Sequence, residues 1–254
     1  MSLFRNESNN KTRKDMKNLK YFLIVTLSLG ITFCTDGQMR RTVYGNNKVV
    51  KKEREAGRFS GVRVSSGIDV YLSQTGEESI KVEADENLHE YIMTEIRDGV
   101  LNVYSDANIR EAEMKRVYVT MKDIRSLKTS SAGDIIGETP VKTDQLELSA
   151  SSAGNIKLEV YAKEIEAGIS SSGDVTLTGE VDILNTNLSS AGDLNAYGLE
   201  VREADITASS AGDADITVTE RLRARSSSAG DINYRGNPKY VDAHSSSAGS
   251  VNRK

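Results

Sequence analysis

Ser130-Ser131-Ala132-Gly133-Asp134 is the phrase on which the fold turns, because the chain repeats it to its end. The later copies are Ser151-Ser152-Ala153-Gly154-Asn155, Ser171-Ser172-Gly173-Asp174, Ser189 to Asp193, Ser209 to Asp213, Ser227 to Asp231 and Ser246 to Ser250. Their glycines stand at 133, 154, 173, 192, 212, 230 and 249, so successive copies are 21, 19, 19, 20, 18 and 19 residues apart. A fixed period of this length marks a stacked repeat. Between the copies the apolar residues recur at a spacing of two. Ile156, Val175, Leu194, Ile232 and Val251 lie two positions after their glycines, and Leu158, Leu177, Ile216 and Tyr234 lie four after. Before the turns run Leu146/Leu148/Ala150, Ile165/Ala167/Ile169, Leu184/Leu188 and Ala204/Ile206/Ala208. Spacing of two puts alternate side chains inside a strand, and no helical pattern competes with it.

The chain is therefore predicted to be all-β, a right-handed β-helix or solenoid with coils of about 19 residues. Coils stacked about 4.8 Å apart share a core that no single coil can bury. In this reading the glycine supplies positive φ at the turn, the following Asp bonds backbone nearby, and the paired serines align their hydroxyls from coil to coil.

The first 37 residues read as an export signal. Lys17 and Lys20 precede an apolar run from Tyr21 to Phe33, with Met1 or Met16 as the start. Cleavage before Gln38 gives a secreted chain. Cys34, the single cysteine, offers lipid attachment and membrane anchoring instead, although Phe33 before it is bulky. Either route places the protein in the periplasm, at the outer membrane or on the cell surface. Residues 38–57 are polar and basic and read as a flexible tether. One solenoid domain follows over 58–254, with wider coils over 58–129 and the SSAGD repeats over 130–254.

The whole chain carries 33 Lys and Arg against 37 Asp and Glu, a net charge of −4, which argues against a nucleic-acid partner. Without residues 1–37 the net charge becomes −7, and residues 133–254, with 11 basic and 19 acidic residues, hold that acidity.

Within 58–129, Phe59, Val62 and Val64 alternate towards Ser65-Ser66-Gly67-Ile68-Asp69, an imperfect early copy of the turn. Asp85 to Ile92 reads as a short helix or a loop, and Asp98-Gly99 as a hairpin turn. The order Phe59-x-x-Val62-x-Val64, Ser66-Gly67-Ile68-Asp69-Val70-x-Leu72, Val82-x-Ala84-Asp85-x-Asn87-Leu88 and Gly99-x-Leu101, followed by serial SSAGD turns, resembles the auto-transporter adhesin head-GIN domain family over residues 58–251. The resemblance implies an exported β-helix protein of Bacteroidetes-type bacteria. It brings no catalytic residues.

The candidate site residues are Asp134, Asp174, Asp193, Asp213 and Asp231. Stacked in register, their carboxylates would repel and raise one another's pKa, and a bound cation such as Ca²⁺ would relieve that. The alternative is structural, each Asp bonding its own turn; Asn155 breaks the row and Ser250 ends it. The turns also lack the nonapeptide of Ca²⁺-binding β-rolls. His89 and His244, the only two histidines, have no nucleophile or acid pattern around them, and His244 belongs on the rim or surface. No catalytic residue, metal site or cofactor is assigned. The expected function is a non-enzymatic envelope or surface module for adhesion, binding or assembly, with a protein or glycan as ligand. The alternative is a periplasmic carbohydrate-binding or carbohydrate-active β-helix protein. The coil end near Gly249 has no cap and is expected to favour homo-oligomers by strand pairing, unless Asn252-Arg253-Lys254 blunts it by charge.

Overall fold

Alternation over whole repeats makes long strands. The structure, a computed structural model, describes residues 41–254. The expected signal, Cys34 and residues 38–40 of the expected tether lie outside the described residues. The first nine strands are β1 (Thr42–Tyr44), β2 (Val49–Arg54), β3 (Gly61–Val64), β4 (Asp69–Gln74), β5 (Ser79–Asp85), β6 (Ile92–Arg97), β7 (Val100–Ser105), β8 (Asn108–Arg110) and β9 (Lys115–Met121). They lead into β10 (Ser126–Thr129), β11 (Asp134–Gly137) and β12 (Val141–Ala150). Four strands spanning most of a coil follow: β13 (Asn155–Ser170), β14 (Asp174–Ser189), β15 (Asp193–Ala208) and β16 (Asp213–Ser226). β17 (Asp231–Arg235), β18 (Tyr240–Ser245) and β19 (Ser250–Arg253) complete the stack. The described residues contain one turn of 3-10 helix, Glu86–Leu88, and no α-helix.

From β10 onward every pairing within the stack is parallel, and the fold is a β-solenoid of about seven turns. Parallel register one repeat apart aligns like with like. Val70, Ile135, Ile156, Val175, Leu194, Ala214, Ile232 and Val251 form one inward column. Val62, Leu127, Leu148, Ala167, Thr186, Ile206, Ala224 and Ala243 form another on the opposing side. Nearly all of these side chains are buried until the last coil, where Ala243 is exposed and Val251 half-buried. β18 and β19 pair on one side only among the described residues.

Each turn glycine faces the coil before it. A Cβ built on Gly173 would lie 2.5 Å from the Ala150 carbonyl oxygen, and one on Gly192 would lie 2.7 Å from the Ile169 carbonyl carbon. Positive φ falls instead on the two preceding residues, for example 51° at Ser190 and 56° at Ala191. The expected role of the glycine is thus corrected: it provides close approach, not left-handed backbone. The left-handed pair is held by cross-coil bonds. Ser172 N–H donates to Ser190 O (3.1 Å), Ala191 N–H to Ser210 O (3.1 Å), and Asp193 N–H to Gly173 O (2.9 Å). The ladder along this corner is therefore made by backbone groups rather than by serine hydroxyls.

The early copy at Ser65–Asp69 supports this account. Gly67 N–H donates to Ser131 O as Ala132 N–H does to Ser152 O, so Ile68 stands where later coils have glycine. Ile68 is tolerated, and fully buried, because the chain before it swings wide between the end of β7 and the start of β9. No tight turn presses against it there.

Residues 41–121 correct the sequence reading most. β1 pairs with β8, and β2 lies antiparallel on β5, so the expected tether is folded from residue 42 to 54. The expected wide coils over 58–129 are one true coil, β3 and β4, closed by an end cap. In the cap β7 and β9 continue the parallel stack, while β2, β5 and β6 run antiparallel. The hairpin at Asp98-Gly99 forms as expected, with φ of 51° and 74°. Buried Asp85 ties the cap together, accepting from the N–H groups of Asn47 (2.9 Å) and Met114 (3.1 Å).

Candidate functional site: the wide corner of the solenoid

Each full coil has two corners of different character. The Ser-Ser-Ala-Gly corner is tight and nearly invariant. The second lies midway between the glycines, and the alternation changes phase there. In β13, Ile156, Leu158 and Val160 are buried, then Ile165, Ala167 and Ile169, with Tyr161 to Glu164 between the two sets. The register slips at the same place in later coils, between Ala196 and Glu200 and between Val201 and Glu203. A corner that tolerates slips tolerates varied, outward-pointing side chains.

These side chains line three adjoining depressions along the corner. The first, about 600 Å³, lies over Arg58, Lys122 and Arg125 with Glu78 and Asp123 beside them. The second, about 960 Å³, shares Asp123 and Arg125 with the first and runs past Lys142, Asp144 and Glu164 to Tyr161. The third, about 380 Å³, shares Tyr161 and continues over Glu180, Asp182, Glu200, Arg202 and Glu220. Together they form one open groove across successive coils.

Tyr161 stands near the middle, 38% exposed. Its hydroxyl donates to Glu159 (2.9 Å), which raises its pKa, and Lys142 lies 5.9 Å from its ring centre. Some groove charges are paired: Lys163 with Asp144 (2.8 Å), and Arg202 with Asp182 (3.4 Å), Glu203 (2.7 Å) and Glu220 (3.5 Å). Among the described residues Arg58, Lys122, Arg125, Glu180 and Glu200 have no ion-pair partner. The sequence reading missed this groove. Its one signal was the slip in apolar spacing midway between glycines.

The predicted aspartate column does form. Asp69, Asp134, Asn155, Asp174, Asp193, Asp213, Asp231 and Ser250 follow in register on consecutive coils. The residues that break the row act as donors within it. Asn155 Nδ2 donates to Asp134 (2.8 Å), Ser250 Oγ to Asp231 (2.6 Å), and the Asp231 N–H to Asp213 (3.2 Å). These bonds cross between coils, so Asp134, Asp213 and Asp231 accept from a neighbouring coil and not from their own turns. Burial, then the charges of Asp174, Asp213 and Asp215, raise the Asp193 pKa. Burial and Asp134 raise that of Asp69, against Arg116 and Lys115. Among the described residues no group of three or more His, Cys, Asp or Glu side chains is placed to hold a metal ion.

The two histidines lie far from the groove. His244 is exposed on β18, as expected of a surface side chain. His89 is buried in the cap, its Nε2 3.0 Å from Val50 O, and burial lowers its pKa.

A stacked β-solenoid with an open, charged groove along one corner defines the class: an extended repeat scaffold. A family model described as "Putative auto-transporter adhesin, head GIN domain" matches residues 58–238, and the chain belongs to that family. No curated protein matches it. Three solved structures share the fold. An adhesin-named protein from Bacteroides fragilis is 18% identical, with a TM-score of 0.78 over 84% of this chain and 100% of its own. A protein from Parabacteroides distasonis named as lipid binding is 22% identical, with a TM-score of 0.69 over 84% and 100%. An adhesin-named protein from Parabacteroides merdae is 24% identical, with a TM-score of 0.67 over 84% and 99%.

Proposed function

We propose that this protein is a non-enzymatic module exported to the bacterial envelope or surface, and that it works by binding. The single observation that carries the reading is the groove along the wide corner. It is long, open to solvent and built on rigid stacked coils, which suits holding an extended ligand better than sequestering a small substrate from water. The family name and the adhesin-named neighbours favour an adhesive role. Export and anchoring rest on Lys17, Lys20 and Cys34 in the sequence. Self-association through the one-sided strands β18 and β19 belongs to the same proposal.

The test is a binding screen of the full chain against envelope proteins and glycans, with turnover of each glycan measured in parallel. Saturable binding without turnover is the expected result. Turnover of a polysaccharide that a single Asp or His substitution abolishes would replace this reading with a carbohydrate-active enzyme.

A further inference from the structure

The groove has two ends of opposite charge. At the cap end three cations, Arg58, Lys122 and Arg125, face two carboxylates, Glu78 and Asp123. At the far end four carboxylates, Glu180, Asp182, Glu200 and Glu220, outnumber two cations: Arg202, which is shared among acids, and Lys239, which pairs with Glu220 at 3.6 Å. The rows at Arg125, Lys142, Tyr161, Glu180 and Glu200 belong to successive coils, so the acidic pair lies about 14–19 Å from Arg125 at ~4.8 Å per coil. That exceeds the Debye length of about 8 Å at physiological salt, so each end selects charge independently. The side chains that set each sign, the three cations at one end and Glu180 and Glu200 at the other, have no ion-pair partner among the described residues. Tyr161 lies between the ends with its ring partly exposed, a surface for an aliphatic or cationic side chain.

We infer that the groove binds an extended polypeptide segment of bipolar charge, its acidic end on Arg58, Lys122 and Arg125 and its basic end over Glu180 and Glu200. A uniformly anionic polymer matches only the first end, and a neutral glycan matches neither. A polypeptide carries both signs at the required separation. At about 3.4 Å per residue, roughly six extended residues reach from Arg125 to Glu200. This rests on the binding function proposed above and names the ligand class for the same site.

The test uses the full chain and fluorescent synthetic peptides of about eight residues: bipolar, all-acidic, all-basic and uncharged. Fluorescence anisotropy at low salt should rank the bipolar peptide tightest, by at least about fivefold, with binding weakened by added salt. Two variants then exchange the preference. Lys122→Glu/Arg125→Glu should make the all-basic peptide the tightest ligand, and Glu180→Lys/Glu200→Lys the all-acidic one. All four side chains point outward from the corner, and circular dichroism melts check that the variants fold. Unchanged peptide ranking in both folded variants would overturn the inference. So would an uncharged peptide or neutral oligosaccharide that binds as tightly as the bipolar peptide. If no peptide binds while the screen yields another ligand, this inference falls and the binding function stands. A screen without any ligand defeats the binding function itself.

Discussion

Exchanging the roles of Ala191 and Gly192 gives opposite effects on stability at two adjacent small residues. Ala191 has φ of 56°, and Gly192 is not in the positive-φ region. A left-handed non-glycine residue costs about 1–2 kcal/mol. Ala191→Gly removes that cost but frees the unfolded chain by about 0.4–1 kcal/mol, so the net change is about 0–1.6 kcal/mol of stabilisation. Gly192→Ala places a methyl group 2.7 Å from both the carbonyl carbon and oxygen of Ile169 and 2.9 Å from Ser170 N. Carbon atoms prefer about 3.5–4.0 Å, and the obstacle is backbone, which cannot rotate aside. The coils must part, stretching bonds such as Asp193 N–H to Gly173 O at 2.9 Å. Overpacking costs about 1–3 kcal/mol, and this contact belongs at the upper end. At about 2–4 °C per kcal/mol for a domain of this size, Gly192→Ala should lower the melting temperature by about 6–12 °C. Ala191→Gly should leave it unchanged or raise it by up to about 6 °C. Thermal melts followed by far-UV circular dichroism measure both. A harmless Gly192→Ala paired with a damaging Ala191→Gly would return the glycine to the ordinary left-handed role and refute the close-approach account.

Leu177→Asp buries an unpaired charge at a fully buried position and should cost at least about 4 kcal/mol, whereas Thr176→Ala, one residue away and facing outward, should cost less than about 1 kcal/mol; equal urea midpoint shifts would contradict the alternation. Asp193→Asn should stabilise the protein at pH 7. The native pKa of Asp193 is raised by burial and by Asp174, Asp213 and Asp215, so the native state holds the proton more tightly and stability falls as pH rises through that window. The gain should vanish below the ordinary carboxylate range, and a gain that persists there would exclude relief of charge as its cause. His89 has the opposite sign. With its native pKa lowered by burial, its contribution is complete above about pH 6.5 and is lost as pH falls below that value, because the unfolded chain takes up the proton first. His89→Gln should flatten the dependence of melting temperature on pH between about 7.5 and 5, and an unchanged slope would show that other groups set it.

What the sequence alone determined follows from its period. Repeats about 19 residues apart fixed a stacked solenoid, and spacing of two fixed which side chains face inward. The aspartates had to align, because parallel pairing one repeat apart superimposes equivalent positions. These are local regularities, and a linear reading captures them. The tertiary structure decided whatever depends on distances between coils. Gly192 owes its identity to the Ile169 carbonyl, which only the stacked fold brings within 2.7 Å. β2 looked like a solvated tail because Lys51, Lys52, Glu53 and Arg54 carry charge, yet pairing with β5 holds it in the cap. The groove from Arg58 past Tyr161 to Glu220 gathers residues from successive coils, and none of those residues belongs to a motif. Its charge gradient exists because stacking sets those corners side by side, and no window of sequence contains that information.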